Sequence, residues 1–431
     1  MAQSKKVKSK RTGRVATTAR RYNIKDVATA AKVPVATASR TLAMPDVVTR
    51  VRMGMAGGGE GAFIGEIHRA AARLDGEIEL VCGAFSSDPE ISRRTGARLG
   101  LAPARAYPSW QEMLAREAQL PQSERAEFIS IVTPNHLHFP IASAALEAGF
   151  HVLSDKPATR TLAEARTLAD TVARTKRCYA LTHTYLGYPL IAEARLRIAA
   201  GDIGTIRQVA VQYPQGWLSE QSELTGNRQA LWRTEPERAG PGGSVGDIGV
   251  HAFNLCEYVT GRKVVQLCSD LNTAFAGRKL DDQAAAFLRF DNGAHGSLTA
   301  TQIATGEEND LTIRIYGDKG GIVWSHRDPN SLRLLGKDGV DRTLRAGSDS
   351  SALHATTRAL CRTPAGHPEG FIEAFANLYR AFASDLRGPA GAGGLMLLSP
   401  APISAALRGM AFIEAMVHSS QAGQSWIEVR D

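Results

Sequence analysis

The chain has 431 residues, 43% hydrophobic and 22% charged, a globular composition long enough for two domains of ordinary size plus an extension. No run approaches ~18 uninterrupted apolar residues, so no membrane-spanning helix is expected. Five scattered cysteines (Cys82, Cys178, Cys256, Cys268, Cys361), odd in number and without metal-ligand spacing, read as reduced thiols of a cytoplasmic protein with neither disulfide nor metal site.

The net charge of +8 resolves at once on the first segment, residues 1–21. Lys5, Lys6, Lys8, Lys10, Arg11, Arg14, Arg20 and Arg21 stand there with no acid among them, and the remainder balances at 43 basic and 43 acidic residues. The segment reads as a solvated, disordered basic tail. Arg20-Arg21 is not expected to be an export signal, because Lys25, Asp26 and Lys32 interrupt the apolar run that would have to follow. The stretch Asn23 to Leu42, within residues 22–50, then resembles the helix-turn-helix of lactose-repressor (LacI) family regulators. Lys32 takes the turn position where that family usually has glycine, and Pro34 takes the place of the serine that caps its recognition helix. The family's third helix and hinge are missing, so DNA is not expected as a partner.

Val51 to Ala56 reads as a short strand, followed by Gly57-Gly58-Gly59-Glu60-Gly61-Ala62 and a helical pattern on Phe63, Ile67, Ala70, Ala71 and Leu74. Strand, glycine turn and helix in that order fit the G-x-G-x-x-G/A dinucleotide fingerprint. Gly57 is expected in the tight turn, Gly59 where the backbone approaches pyrophosphate, and Ala62 where the helix packs on the strand; Gly61, Phe63 and Ile64 complete the phosphate-facing helix start. The second strand, Ile78 to Phe85, ends at Ser86-Ser87 rather than at the acid that many NAD enzymes set against the ribose. Those serines and Arg93-Arg94 can accept a 2′-phosphate, a slight tilt to NADP that leaves NAD open.

A third apolar strand, Phe128 to Val132, runs into Thr133-Pro134-Asn135-His136-Leu137-His138, whose Thr133, Pro134, Asn135 and His138 are candidates to line ribose and nicotinamide, since strand ends of a parallel sheet open onto the ligand crevice. A helix over Ile141 to Ala148 leads to Phe150-His151-Val152-Leu153-Ser154-Asp155-Lys156-Pro157, where an apolar strand stops in a charged pair and a proline. Lys156, flanked by Asp155 and Pro157, is therefore presented at a strand end. Helices are expected at Leu162 to Thr175 and Leu190 to Ala200, and a domain boundary near 180 divides a nucleotide-binding domain at 51–180 from a substrate and oligomerisation domain at 181–431.

Beyond Ile206 the character becomes that of an antiparallel sheet. Ile206 to Tyr213, Val264 to Phe275, Ala284 to Phe290, Ala294 to Ile303, Leu311 to Tyr316 and Gly321 to Trp324 read as strands, with hairpin turns at Asp291-Asn292-Gly293 and Gly317 to Gly320. An apolar outer sheet face would pair with a second copy, so a dimer or tetramer is expected. Helices near 368–386 and 401–418 and a strand at Trp426 to Val429 follow. Between the first two strands lies Gly242 to His251; if a helix begins near Asp247, the four-residue spacing puts its carboxylate and the His251 imidazole on one face. Lys156, Asp247 and His251 together suffice to take a proton off a hydroxyl while hydride leaves its carbon for nicotinamide.

From Val51 onward these segments, Gly57 to Gly65, Thr133 to His136, Asp155-Lys156-Pro157, Trp232-Arg233 and Gly246 to His251, resemble the glucose-fructose oxidoreductase, inositol dehydrogenase and rhizopine-catabolism (Gfo/Idh/MocA) family. The resemblance implies an N-terminal Rossmann domain with a doubly wound parallel sheet, a C-terminal α+β domain with an open, mainly antiparallel sheet, and NAD- or NADP-dependent oxidation of a sugar, cyclitol or sugar-derivative hydroxyl. It implies Lys156 at the nicotinamide ribose and reacting hydroxyl, Asp247 holding substrate, and His251 as acid/base; in the hydride transfer read from these residues, Asp247 is expected to orient the imidazole or a neighbouring hydroxyl. His183 and Tyr185 stand where relatives commonly place an Asn beside an aromatic, and with Trp217, Trp232 and Arg233 they are candidates to bind substrate. Two alternatives stay open: glycoside cleavage through transient oxidation, and a DNA-binding regulator with a catalytically idle body.

Overall fold

The computed structural model describes residues 50–388 and 400–431, which carry two sheets. The basic tail and the helix-turn-helix resemblance lie outside the described residues. The first sheet opens with β1 (Val51–Gly57), and α1 (Phe63–Leu74) crosses to β2 (Ile78–Ala84). Next come α2 (Pro89–Arg98), α3 (Trp110–Glu117), β3 (Phe128–Val132), α4 (His138–Glu147), β4 (His151–Ser154), α5 (Leu162–Thr175) and β5 (Tyr179–Leu181). These strands lie parallel in the order β2-β1-β3-β4-β5, and β14 (Ala401–Pro402) adds an antiparallel edge beside β5.

Every residue of β3 is buried, as a central parallel strand covered on both faces requires. Alternation assigns the faces. Val51, Met53, Met55 and Phe128 pack on one side with Ala71 of α1, whereas Ile129 and Ile131 pack on the other with Ile141 of α4 and Leu168 of α5. The helices α2 and α3 are additions to the expected pattern. Asp88 accepts from the N–H groups of Glu90 and Ile91 and Pro89 sits in the first turn, so the α2 start obeys ordinary capping chemistry although the helix is too polar to show an apolar stripe.

The second lobe begins with α6 (Pro189–Ala200) and β6 (Ile206–Pro214), continues through the short α7 (Arg228–Arg233) and α8 (Pro236–Ala239), and turns through a π-helical segment, Val245–Gly249, into α9 (Val250–Thr260). Seven strands follow: β7 (Val264–Asn272), β8 (Gln283–Phe290), β9 (His295–Thr301), β10 (Thr312–Gly317), β11 (Gly320–Ser325), β12 (Ser331–Gly336) and β13 (Asp341–Arg345). After α10 (Ala355–Leu360), α11 (Phe371–Arg387) and α12 (Ile403–Gln421), β15 (Ile427–Glu428) closes the far edge. The order is β13-β12-β11-β10-β6-β9-β8-β7-β15, with β6 and β9 the parallel pair and every other pairing antiparallel.

Both expected hairpin turns join consecutive strands, β8 to β9 and β10 to β11. The strands β12 and β13 are additions. β13 is an edge strand exposed along most of its length, so its residues carry no alternating apolar signal. Packing also crosses the expected boundary at 180. Phe375, Tyr379 and Phe382 of α11 cover the first sheet, where the Tyr379 hydroxyl lies 2.8 Å from both His68 Nδ1 and Ser130 Oγ. No helix among the described residues is long and apolar enough to cross a membrane.

Candidate active site

The glycine turn fits a dinucleotide phosphate by what it leaves free. Gly57 and Gly58 adopt φ of +89° and +71°, and Ala62, the residue before α1, offers no side-chain cap to the first-turn N–H groups. Beside Gly57 stands Thr133, whose hydroxyl is buried without a partner. Gly59 N–H donates to the Phe85 carbonyl at 3.0 Å, and a Cβ there would lie 2.6 Å from that oxygen, so Gly59 presses against the end of β2. Helix and turn meet closely at Gly65, where a Cβ would come 2.3 Å from the Gly58 Cα. Of the neighbouring side chains, Phe63 is 69% exposed and Ile64 packs inward with Ile67.

At the end of β2, Ser86 Oγ accepts from the Asp88 N–H at 3.1 Å. The Arg94 guanidinium donates twice to Glu60 of the glycine turn, at 2.9 and 2.8 Å, and Arg93 pairs with Glu90. The two cations expected to favour a 2′-phosphate are thus already turned to carboxylates, with Ser87 left beside them.

The loop after β3 is a fastening. His138 is buried, with Nδ1 2.7 Å from the Pro157 carbonyl and Nε2 2.8 Å from the Thr133 carbonyl, and Asn135 Nδ2 donates to the Ala239 carbonyl at 2.9 Å. His138 therefore has both ring nitrogens on backbone carbonyls and ties the loop to the strand end carrying Lys156, while Asn135 ties it to Ala239 of α8. Asp155 is engaged in the same way, accepting from the Lys156 N–H at 2.9 Å and the Thr182 hydroxyl at 3.0 Å, and the Lys156–Pro157 peptide is cis.

Lys156 leaves β4 and crosses to the second lobe. Its ammonium donates to the Asp247 carboxylate at 2.8 Å and to the Asp247 carbonyl at 2.5 Å. The other Asp247 oxygen accepts from Gln302 Nε2 at 2.8 Å and Arg233 Nε at 3.2 Å. Burial alone would push this carboxyl up, but Lys156 and Arg233 outweigh it and hold it well below the usual carboxylate range. The hydrogen bonds of the Asp247 carboxylate run to these three donors and not to the His251 imidazole. The partner of His251 is His183, Nδ1 to Nδ1 at 3.4 Å. Burial, followed by the Lys156 charge and His183, holds His251 well below its ordinary pKa, against the opposite pull of Asp247. His183 is held down to about 3, chiefly by burial.

Asp281 anchors this turn, accepting from the N–H groups of Gly243 and Val245 and the Ser244 hydroxyl at 2.6, 2.9 and 2.6 Å. Tyr185 sets its ring edge-on to His251 with centroids 5.1 Å apart, while its hydroxyl is bonded to Tyr213 and receives Asn309 Nδ2 at 3.2 Å. Arg233 lies over the Trp232 ring at 4.2 Å and the Trp217 ring at 5.8 Å. Sequence reasoning missed Gln302, Asn309, Tyr213 and Asp281. Gln302 and Tyr213 carry a faint signal, polar groups at the close of the expected strands Ala294 to Ile303 and Ile206 to Tyr213, whereas Asn309 and Asp281 stand in segments with no motif.

Three comparisons place this arrangement among known proteins. The pattern described as "Oxidoreductase family, NAD-binding Rossmann fold" matches residues 51–183, and the GFO/IDH/MocA C-terminal domain matches residues 191–323. The oxidoreductase YfiI of Bacillus subtilis is 32% identical over 88% of this chain and 97% of its own length, and a levoglucosan dehydrogenase of Pseudarthrobacter phenanthrenivorans is 27% identical over 80% and 88%. A crystal structure of an inositol dehydrogenase homolog from Azotobacter vinelandii in complex with NAD+ superposes with a TM-score of 0.83 at 35% identity, covering 88% of this chain and 97% of that one.

Proposed function

This chain belongs to the Gfo/Idh/MocA oxidoreductase family, and from that premise we propose that it oxidises a ring CH–OH of a sugar, cyclitol or anhydrosugar with NAD. The observation that carries the reading is the 2.8 Å contact of Lys156, from the nucleotide-binding sheet, with Asp247, one turn before His251 in the other lobe. When bound, the nicotinamide supplies the hydride acceptor. The chain's own residues handle the proton and the charge. His251, kept neutral by burial, accepts the hydroxyl proton. Of the three ammonium donors of Lys156, two face Asp247 and one is left for the alcohol oxygen as it gains negative charge. Arg233 and Gln302 hold Asp247 so that Lys156 has a fixed anchor. Relatives named for levoglucosan and scyllo-inositol support the substrate class.

The test is nicotinamide absorbance with the full-length protein, NAD and NADP separately, across inositols, aldoses, levoglucosan and nitrophenyl glycosides. Reduction of NAD by at least one of the free sugars or cyclitols is expected; failure of all of them would overturn the reading.

We propose further that the outer face of the second sheet joins copies of this chain. Along β8, Ala284, Ala286, Leu288 and Phe290 face the core, while Phe287 stands 66% exposed between Ala285 and Arg289 on the other face. Phe287→Asp should shift the protein to a smaller species in mass photometry, because a carboxylate would be desolvated in the interface. An unchanged mass distribution, or a wild type that is already monomeric, would rule the interface out.

A further inference from the structure

We infer that His183 selects the proton-accepting tautomer of His251, a positioning role that rests on the reading of His251 as the base. His183 follows β5 in the first lobe and His251 opens α9 in the second, and both rings are buried. Their Nδ1 atoms are 3.4 Å apart, with ring planes nearly perpendicular at 86°. A hydrogen bond between two imidazole nitrogens needs one N–H and one lone pair, so the pair has two possible arrangements.

If His183 is the donor, the His251 hydrogen sits on Nε2, and that nitrogen has no lone pair for an alcohol proton. If His251 is the donor, its Nε2 carries the lone pair and is the base. The second arrangement also survives the reaction. When Nε2 takes up the hydroxyl proton, the imidazolium still donates Nδ1–H to the His183 lone pair. In the first arrangement, protonation at His251 Nδ1 would set two N–H groups against each other. Burial holds His183 down to about 3, so it stays neutral and one of its ring nitrogens keeps a lone pair with which to accept from His251.

The sequence makes His183 a candidate to bind substrate; in the structure its Nδ1 faces His251. The other groups against the His251 ring are Lys156 and Asp247, whose charges act on it from opposite signs, and the rings of Tyr185 and Tyr213. Neither tyrosine hydroxyl bonds the imidazole; the two bond each other. Among the described residues, His183 is thus the side chain with a polar atom on His251 Nδ1, and the lobe that binds the nucleotide supplies the orienting partner of a base in the other lobe.

The test uses full-length protein and three substitutions, His183→Leu, His183→Asn and His183→Asp, read by the pH profile of kcat and kcat/KM with NAD and, as probes, levoglucosan and myo-inositol. Leu removes the acceptor: kcat should fall about tenfold with KM little changed, and the acid limb of the profile should move to lower pH because the imidazolium loses its partner. Asn, with a neutral carbonyl acceptor, should rescue most of that loss. Asp, an anionic acceptor, should move the acid limb to higher pH. An effect of Leu on KM alone, or a Leu profile matching wild type, would overturn the assignment. Histidine 15N spectra of the resting wild-type protein give a readout that needs no turnover and no folded variant. They should show His251 protonated at Nδ1; protonation at Nε2 would overturn the proposal. Wild-type protein that oxidises neither probe but shows the Nδ1–H tautomer would count against the assumed reaction and leave the pairing standing.

Discussion

His251→Ala should lower turnover by about 10²–10⁴-fold, the usual range for a positioned acid/base group, while NADH affinity stays within a few-fold of wild type. The reason is geometric. His251 sits one turn after Asp247, which holds Lys156 at 2.8 Å, and on the proposed reading the imidazole is the neutral group that accepts a proton from an alcohol held by that ammonium. Lys156→Ala should cost a similar factor by a different route, because it removes the cation that stabilises the developing alkoxide and leaves the Asp247 carboxylate with Arg233 and Gln302 alone. The pH dependence follows from the sign of the His251 shift. Its pKa in the folded protein lies well below the ordinary imidazole value, so the active, unprotonated form persists through neutral pH and is lost only as acid protonates the ring. The acid limb of kcat/KM should therefore fall below pH ~6.5 and vanish in His251→Ala. Turnover of either variant at the wild-type level would end the proposed roles.

Gly65→Val should weaken NADH binding by about 10²-fold with the chain still folded. The first carbon of any side chain at 65 would lie 2.3 Å from the Gly58 Cα and 2.8 Å from the Gly58 carbonyl oxygen, so α1 must move away from the turn that cradles the phosphates. Overpacking of this kind costs about 1–3 kcal/mol, and the upper end corresponds to that loss of affinity if the strain is relieved by displacing the turn. Backbone on both sides of the contact leaves no flexible side chain to give way. Fluorescence titration of NADH, with a melting curve to verify folding, checks it; wild-type affinity in a folded Gly65→Val protein would show that the turn does not depend on this contact.

The nucleotide-binding half was the more legible part because its signals are local. A parallel strand buried on both faces is an apolar run such as Phe128 to Val132, and a glycine-rich turn between strand and helix stands out in order and spacing. Lys156 and His251 could be picked out for the same reason, each in a short segment with an abrupt change of character. The helix α2 was hidden by its polar surface, and β13 by its exposure. The role of Gly65 was hidden because it depends on how closely α1 crosses the turn, a distance that no spacing in the chain encodes.

What the amino-acid order determined by itself is therefore the fold class and the main elements of both sheets, together with the candidates it singled out: a glycine turn between strand and helix, a lysine at a strand end, a histidine at a helix start, and an open sheet with alternating faces. Only the tertiary structure decided their partners. Asp247 lies four residues before His251 yet bonds Lys156, Arg233 and Gln302, which come from three other parts of the chain, while His251 meets His183 from the opposite lobe. The same holds for His138, whose two ring nitrogens both meet backbone carbonyls, and for Asn135, whose amide N–H donates to the Ala239 carbonyl. Hydrogen bonds are made to whichever donor or acceptor the packed lobes bring within about 3 Å, and sequence proximity limits that choice only inside a helix turn or a strand.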